Sequence, residues 1–215
     1  MKKKIAVILA GCGKADGSEI HEATLTLLAI DQQRAEYHAF APNIDQRDVI
    51  NHITGDEMPE KRNVLIEASR ITRGEIKDLK EYDVKDFDAL VLPGGFGAAK
   101  NLCSFAVDGE NMNINEEVTK ALQQTYEAKK PIGALCIAPV MVAKALKATV
   151  TLGQDDDIAK TVENWGGKHK KTTHGEIVTD EEKKIVTTPC YMLDAKISDI
   201  YEGATNLIKK VLELA

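Results

Sequence analysis

The sequence has few cysteines, no long run of apolar residues and no Cys and His residues spaced as metal ligands are. Each of these features excludes a class of protein. Its 215 residues include four cysteines, none of them in a Cys-x-x-Cys pair or spaced with histidine as in a zinc site. We therefore expect reduced thiols, no metal and a cytoplasmic location. No apolar stretch approaches transmembrane length, and the segment after the N-terminal lysines is too short for a signal peptide.

Features of nucleic-acid and nucleotide binding are also missing. The formal net charge is −6, and no basic stripe with interleaved aromatic residues is present. The first predicted strand, residues 4–10, lacks a following Gly-x-Gly-x-x-Gly, and the glycine-rich turns lack the Lys-Ser/Thr of a phosphate-binding loop. We expect no nucleic acid, membrane or cofactor as partner. With 43% hydrophobic residues and no linker rich in Pro, Gly or Ser, residues 1–215 are predicted to form one domain.

What is present is a cysteine between a predicted strand and a predicted helix. Residues 131–135 have the apolar character of a buried strand, and Pro139 suits the first turn of a helix. Cys136 would then lie at the tip of a strained strand-to-helix turn, with its side chain exposed above the sheet. The helix N-terminus is expected to lower the pKa of this thiol. A buried structural cysteine is the alternative.

A second predicted strand, residues 88–92, ends in adjacent glycines. Gly94 and Gly95 follow Pro93, and glycines at such a turn let backbone N–H groups approach a ligand closely. We predict that the N–H groups of Gly95 and Ile137 form an oxyanion hole. A plain strand-to-helix turn is the alternative.

A carboxylate is predicted in the first helical turn of the chain. Ser18 is the expected N-cap of a helix that reaches about Asp31, and Glu19 and Glu22 lie three residues apart on one face. A carboxylate beside a thiol can hold and transfer a proton. For Glu19 we favour a solvated position that complements the helix dipole.

Strand and helix patterns alternate along the chain and predict an α/β fold. This fold is a doubly wound, mostly parallel sheet with helices on both faces and a small β-hairpin near the C-terminus, with the site at the carboxyl ends of the strands. The hairpin is predicted from residues 176–178 and 185–187. The final helix, residues 194–214, is predicted to bury one face, formed by Ile197, Tyr201, Ala204, Ile208 and Leu212.

Several motifs resemble those of a known superfamily. They are Ala10-Gly11-Cys12-Gly13, Gly17-Ser18-Glu19-Ile20-His21-Glu22-Ala23, residues 93–102, Cys136-Ile137-Ala138-Pro139 and residues 187–193. The chain resembles the PfpI-type superfamily and, within it, the ElbB glyoxalase family of isoprenoid-associated bacterial proteins. The resemblance implies a flavodoxin-like, class I glutamine amidotransferase-like fold and a homodimer. Within the motifs, the candidate pocket residues are Gly94, Cys12, His21, Asn101, Thr188 and Cys190.

The same resemblance implies an activity. Cys136 would be the nucleophile, and Glu22 the helix carboxylate that is hydrogen-bonded to its sulfur. The implied reaction is a glutathione-independent glyoxalase reaction, of the lyase class, in which a small dicarbonyl, glyoxal or methylglyoxal, forms a hemithioacetal on Cys136 and leaves as a 2-hydroxy acid. Superfamily peptidases have His directly after the nucleophile, whereas this chain has Ile137, so peptidase activity is not expected.

Two alternatives belong to other classes of protein. The first is a non-catalytic or redox-sensing protein in which Cys136 is oxidised selectively and aldehyde turnover is weak and incidental. The second is an amidotransferase-type glutaminase, which would use His174-Gly175-Glu176 and would need His174 beside Cys136.

Overall fold

The computed structural model describes residues 2–215 and is organised around a seven-stranded sheet. The strand order is β3-β2-β1-β4-β5-β9-β8, and every neighbouring pair is parallel except β8 and β9. The seven strands are β1 (Lys4–Ile8), β2 (Glu36–Ala41), β3 (Ile76–Asp78), β4 (Ala89–Leu92), β5 (Ile132–Leu135), β8 (Val178–Asp180) and β9 (Ile185–Thr188). A separate parallel pair is formed by β6 (Thr149–Val150) and β7 (Lys168–His169). The predicted fold is confirmed.

Helices cover both faces of the large sheet. They are α1 (Ile20–Gln32), α2 (Val64–Ala68), α3 (Phe105–Asp108), α4 (Glu116–Glu127), α5 (Pro139–Leu146), α6 (Asp156–Asn164) and α7 (Ile197–Leu214). Ile5 and Val7 of β1 pack with α1, α2 and α7, whereas Ala6 and Ile8 pack with α4 and α5. Alternate side chains of a strand point to opposite faces, so a central strand covered on both sides must be apolar throughout. None of the helices within residues 2–215 is long and apolar enough to cross a membrane.

The buried face of α7 differs from the predicted one. Ile197 and Tyr201 are 52% and 37% exposed, while the residues that pack inward are Ile200, Gly203, Ala204, Leu207, Ile208 and Val211. The prediction followed the large apolar side chains and missed Gly203. A Cβ on Gly203 would lie 2.9 Å from Thr188 Oγ1, so the missing side chain lets α7 approach β9.

The hairpin is also shorter at its start than predicted. Residues 176 and 177 lie outside it, because β8 begins at Val178, which pairs with Thr187 of β9. The carbonyl of Glu176 instead accepts a hydrogen bond from Thr188 Oγ1 at 2.8 Å.

Replacing Gly133 should destabilise the contact between β5 and α7. A Cβ at this position would lie 2.8 Å from Leu207 Cδ2, so we expect Gly133→Ala to lower the free energy of unfolding by about 1–3 kcal/mol. Urea unfolding measures the change. In a Leu207→Ala background the added methyl group has room, and the cost of Gly133→Ala should shrink. An equal cost in both backgrounds would contradict this packing.

Candidate active site

Cys136 occupies a turn between β5 and α5, as predicted. Its backbone φ is +58°, in the left-handed region that non-glycine residues rarely adopt. The N–H of Cys136 donates to the carbonyl of Thr188 at 2.9 Å, which anchors the turn to the end of β9. The side chain is less exposed than predicted, because Cys136 as a whole is only 6% accessible.

Glu22 reaches this turn from the first turn of α1. The helix is capped by Glu19, whose Oε2 accepts from the N–H of Glu22 at 2.8 Å. The predicted cap, Ser18, is instead completely buried, and its Oγ accepts from the N–H of Ala10 at 2.8 Å. Ser18 therefore ties the loop before α1 to the segment after β1. Glu19, which we expected in solvent, has a side chain that is only 13% exposed.

The carboxyl of Glu22 is fully buried next to Cys136. Its Oε1 accepts from the N–H of Tyr191 at 3.2 Å, and the carboxyl also interacts with the Cys136 thiol and the N–H of Gly94. A Cβ on Gly94 would lie 2.5 Å from Cys136 Cβ and 2.7 Å from Glu22 Oε2. The absence of a side chain at Gly94 is therefore what allows the thiol and the carboxyl to approach the same backbone segment.

Burial disfavours a negative charge on either group. Desolvation raises the pKa of Glu22 to about 8, against the effect of hydrogen bonds from the Cys136 thiol and from backbone N–H groups. Desolvation also raises the pKa of the Cys136 thiol well above its usual value, and the Glu22 carboxylate raises it further. The predicted lowering of the thiol pKa by the helix N-terminus is thus wrong, because burial and Glu22 outweigh it. With a pKa near 8, Glu22 is mainly protonated at neutral pH, and its O–H is a proton donor beside the sulfur.

Two backbone N–H groups are available beside the sulfur. The N–H of Gly95 interacts with Cys136 and lowers the pKa of its thiol. Neither this N–H nor that of Ile137 donates to a backbone carbonyl within residues 2–215. Gly95 has φ +100°, and a Cβ there would lie 2.2 Å from the backbone nitrogen of Glu19, so only glycine fits. Gly95 and Ile137 remain the predicted oxyanion donors.

A cavity of about 700 Å³ opens above the sulfur. Of the predicted site residues, Cys136, Gly95, Ile137 and His21 line it. The cavity is also lined by nine residues that were not predicted to be there: Lys14, Glu19, Phe96, Ala99, Phe105, Ala106, Ile158, Tyr191 and Met192. Tyr191 and Met192 directly follow Cys190 at the end of β9, a signal that could have placed them here.

His21 lies at the rim of the cavity. Its Nδ1 is 2.8 Å from the hydroxyl of Tyr191, and its side chain is 47% exposed. The pair joins α1 to the turn after β9, which agrees with a positioning role for His21 rather than contact with the sulfur.

The other candidate pocket residues lie outside the cavity wall. Asn101 holds the loop after β1, because its Nδ2 donates to the carbonyls of Ala10 at 3.0 Å and Asp16 at 2.9 Å. Cys12 lies near Glu67, and desolvation together with the Glu67 carboxylate raises the pKa of its thiol. Thr188 is buried in β9, and Cys190 is buried beside the Glu22 and Cys136 pair without lining the cavity. Gly94 also lies outside the wall, in the backbone segment that the pair approaches.

His174 lines a different cavity, and this placement argues against a glutaminase. That cavity has a volume of about 690 Å³ and is bordered by Glu202, Asn206 and Lys209 of α7. Within residues 2–215, no three His, Cys, Asp or Glu side chains are grouped as the ligands of a metal ion would be.

A cysteine on a strand-to-helix turn, paired with a helix carboxyl at the carboxyl ends of a parallel sheet, defines a cysteine-centred α/β site. The model of the DJ-1/PfpI family matches residues 15–190, and the chain belongs to this family. The resemblance seen in the sequence motifs is confirmed.

Relatives of known sequence and structure support the assignment. The chain is 42% identical over 224 residues to the "ES1 protein homolog, mitochondrial" of Rattus norvegicus, covering 99% of this chain and 84% of that protein. A crystal structure from Ehrlichia chaffeensis, described as an isoprenoid biosynthesis protein with an amidotransferase-like domain, is 38% identical, with a TM-score of 0.93 and 99% of each chain covered. A deglycase of Thermococcus kodakarensis is 30% identical over 90 residues, covering 40% of this chain and 48% of the deglycase. The family therefore includes enzymes.

Glu22→Gln should remove a pH dependence of stability. The carboxyl has a pKa of about 8 in the folded protein and an unperturbed value of 4.5, so the folded state binds more protons between these values. The free energy of unfolding of the parent should therefore fall as pH rises through this window, by at most about 5 kcal/mol. Glutamine stays neutral, so this decline should be absent from the variant.

Urea unfolding at a series of pH values between 5 and 8.5 measures this effect. Glu75→Gln, at an exposed position, is the matched control and should leave the decline in place. Parallel curves for the parent and Glu22→Gln would show that Glu22 is ionised in the folded protein at neutral pH.

Proposed function

We propose that the protein is a glutathione-independent glyoxalase-like enzyme, a lyase that converts glyoxal or methylglyoxal to the corresponding 2-hydroxy acid. The observation that carries this proposal is the Cys136 thiol next to the fully buried carboxyl of Glu22, whose pKa is raised to about 8. This pair supplies a nucleophile and a proton carrier in one water-poor place, with a cavity above it for the substrate.

The first step would be addition of the Cys136 sulfur to the aldehyde carbon. A C–S bond forms as the carbonyl π bond breaks, and the electron pair moves to the oxygen. The N–H groups of Gly95 and Ile137 would stabilise this oxyanion. The carboxylate form of Glu22, a minority at neutral pH because the pKa is about 8, takes the proton of the Cys136 thiol as the sulfur attacks. It then passes this proton to the oxygen, which leaves a neutral hemithioacetal and a Glu22 carboxylate.

The second step would use this carboxylate as a base. Glu22 removes the hydrogen on the carbon attached to sulfur while the neighbouring carbonyl π electrons move to their oxygen, and it returns this proton to that oxygen, giving an enediol. Glu22 then takes the proton of the hydroxyl next to sulfur and delivers it to the neighbouring carbon. The product is a 2-hydroxyacyl thioester. Water cleaves the C–S bond, so glycolate or lactate leaves and the thiol is restored. The carbon oxidised and the carbon reduced belong to the same substrate, so no external oxidant is needed.

A redox-sensing role is the second candidate, and Cys190 favours it. Desolvation, and after it the nearby Glu22 carboxylate, raises the pKa of the Cys190 thiol well above its usual value, and Cys190 in turn raises the pKa of the Cys136 thiol. In that case peroxide would oxidise Cys136 to a sulfenic acid, with water as the other product. Mass spectrometry after peroxide treatment should then find Cys136 modified in a protein that does not turn over dicarbonyls.

Replacing either member of the pair should strongly reduce lactate formation from methylglyoxal without glutathione. We expect Cys136→Ala to reduce turnover to background and Glu22→Gln to reduce it about 10²–10⁴-fold, because one loses the nucleophile and the other the proton carrier. Product formation, rather than loss of methylglyoxal, is the required measurement, since thiols also bind aldehydes reversibly.

Cys12→Ala is the matched control, because this thiol lies outside the cavity, and it should retain parental turnover. Circular dichroism confirms that each variant is folded. Unchanged turnover in folded Cys136→Ala would refute the mechanism. No turnover in the parent would favour the redox role.

A further inference from the structure

The cavity above Cys136 is larger than a three-carbon dicarbonyl requires. Its volume of about 700 Å³ lies within the range of roughly 300–1,000 Å³ that is typical of cavities for drug-sized ligands. Methylglyoxal would leave most of this space filled with water. The volume therefore points to a substrate with a substantial body in addition to its reacting carbonyl.

The walls identify the chemistry of that body. Phe96 follows β4, Phe105 lies in α3, Ile158 lies in α6, and Met192 follows β9, so four separate parts of the fold contribute apolar side chains. Phe96 is 54% exposed, although its ring lines the cavity. Apolar surface left in water is unfavourable, and an apolar ligand would remove it from water.

One part of this wall is supported by packing behind it. The ring of Phe105 packs edge-to-face against Trp165, with a centroid distance of 6.0 Å. Trp165 Nε1 in turn donates to the carbonyl of Glu110 at 2.9 Å. The apolar wall is therefore formed before a ligand arrives, which reduces the cost of ordering it.

Building on the proposed glyoxalase-like function, we propose that the site takes 2-oxoaldehydes with an apolar chain of roughly four to eight carbons, in preference to glyoxal and methylglyoxal. The aldehyde carbon would meet Cys136, and the chain would lie against Phe96, Phe105, Ile158 and Met192. The contacts of the substrate's alkyl chain with this wall would also stabilise the transition state, and so would raise kcat/KM. Each methylene group moved out of water is worth about a fourfold gain in kcat/KM until the cavity is filled.

A chain-length series tests this inference. The substrates are methylglyoxal, propylglyoxal, pentylglyoxal and heptylglyoxal, and the readout is kcat/KM for formation of the 2-hydroxy acid without glutathione. We expect kcat/KM to rise at least tenfold from methylglyoxal to pentylglyoxal. A flat or falling series in an active enzyme would overturn the inference and leave the proposed function intact.

Ile158→Trp should alter the length preference by filling part of the cavity. We expect the ratio of kcat/KM for heptylglyoxal to that for methylglyoxal to fall at least fivefold in this variant. Lys160→Trp places the same side chain at an exposed position of the same helix, outside the cavity, and should keep the parental ratio. An unchanged ratio in folded Ile158→Trp would show that the chain does not lie against this wall.

Alkylation of Cys136 tests whether the cavity binds an apolar chain, independently of whether the protein turns over 2-oxoaldehydes. N-alkyl iodoacetamides of increasing chain length form a C–S bond to Cys136, with loss of iodide from the reagent and of the thiol proton to the buffer. Mass spectrometry gives the rate at this residue relative to free glutathione. We expect this relative rate to rise with chain length. A rise without any 2-oxoaldehyde turnover would refute the proposed function but support the apolar binding site. A flat relative rate would count against the site itself.

Discussion

The structure depends on one constraint, the burial of two acidic groups at the same place. Glu22 is inaccessible to solvent and Cys136 nearly so, and the protein interior disfavours a charge on either. Two negative charges there are less favourable still, so the neutral carboxyl and the thiol behave as a unit that holds its protons through neutral pH. A reaction that moves one proton between substrate atoms fits such a unit, because it never requires both groups to be charged.

The fold keeps these groups together by joining the carboxyl ends of adjacent parallel strands. Cys136 follows β5, the two glycines follow β4, and the N–H of Tyr191, which contacts Glu22, follows β9. The segments meet so closely that side chains at Gly94 and Gly95 would collide with the pair and with the backbone before α1. Close approach of backbone at these strand ends is therefore what excludes water from Glu22, and burial in turn sets its pKa.

Local patterns in the sequence predicted the parts of the site that lie close to one another along the chain. The apolar strand, the cysteine and the proline at Pro139 indicated the turn, and the adjacent glycines indicated a close backbone approach. The identity of Glu22 as the partner carboxyl came from resemblance. Distinguishing it from Glu19 by residue type was not feasible, because burial depends on how α1 packs against the turn after β9.

The cavity and the raised pKa of the thiol could not be predicted from local sequence patterns, because both depend on residues that are far apart along the chain. The helix N-terminus near Cys136 suggested a lowered pKa, but desolvation results from the whole surroundings of the sulfur and is the larger effect. Phe105 and Ile158 are separated along the chain and meet only through tertiary packing.

The most direct test of the account is a ¹³C NMR titration of the Glu22 carboxyl carbon, assigned with Glu22→Gln. The account predicts a midpoint near pH 8, whereas a midpoint near 4.5, the ordinary value for glutamate, would contradict it.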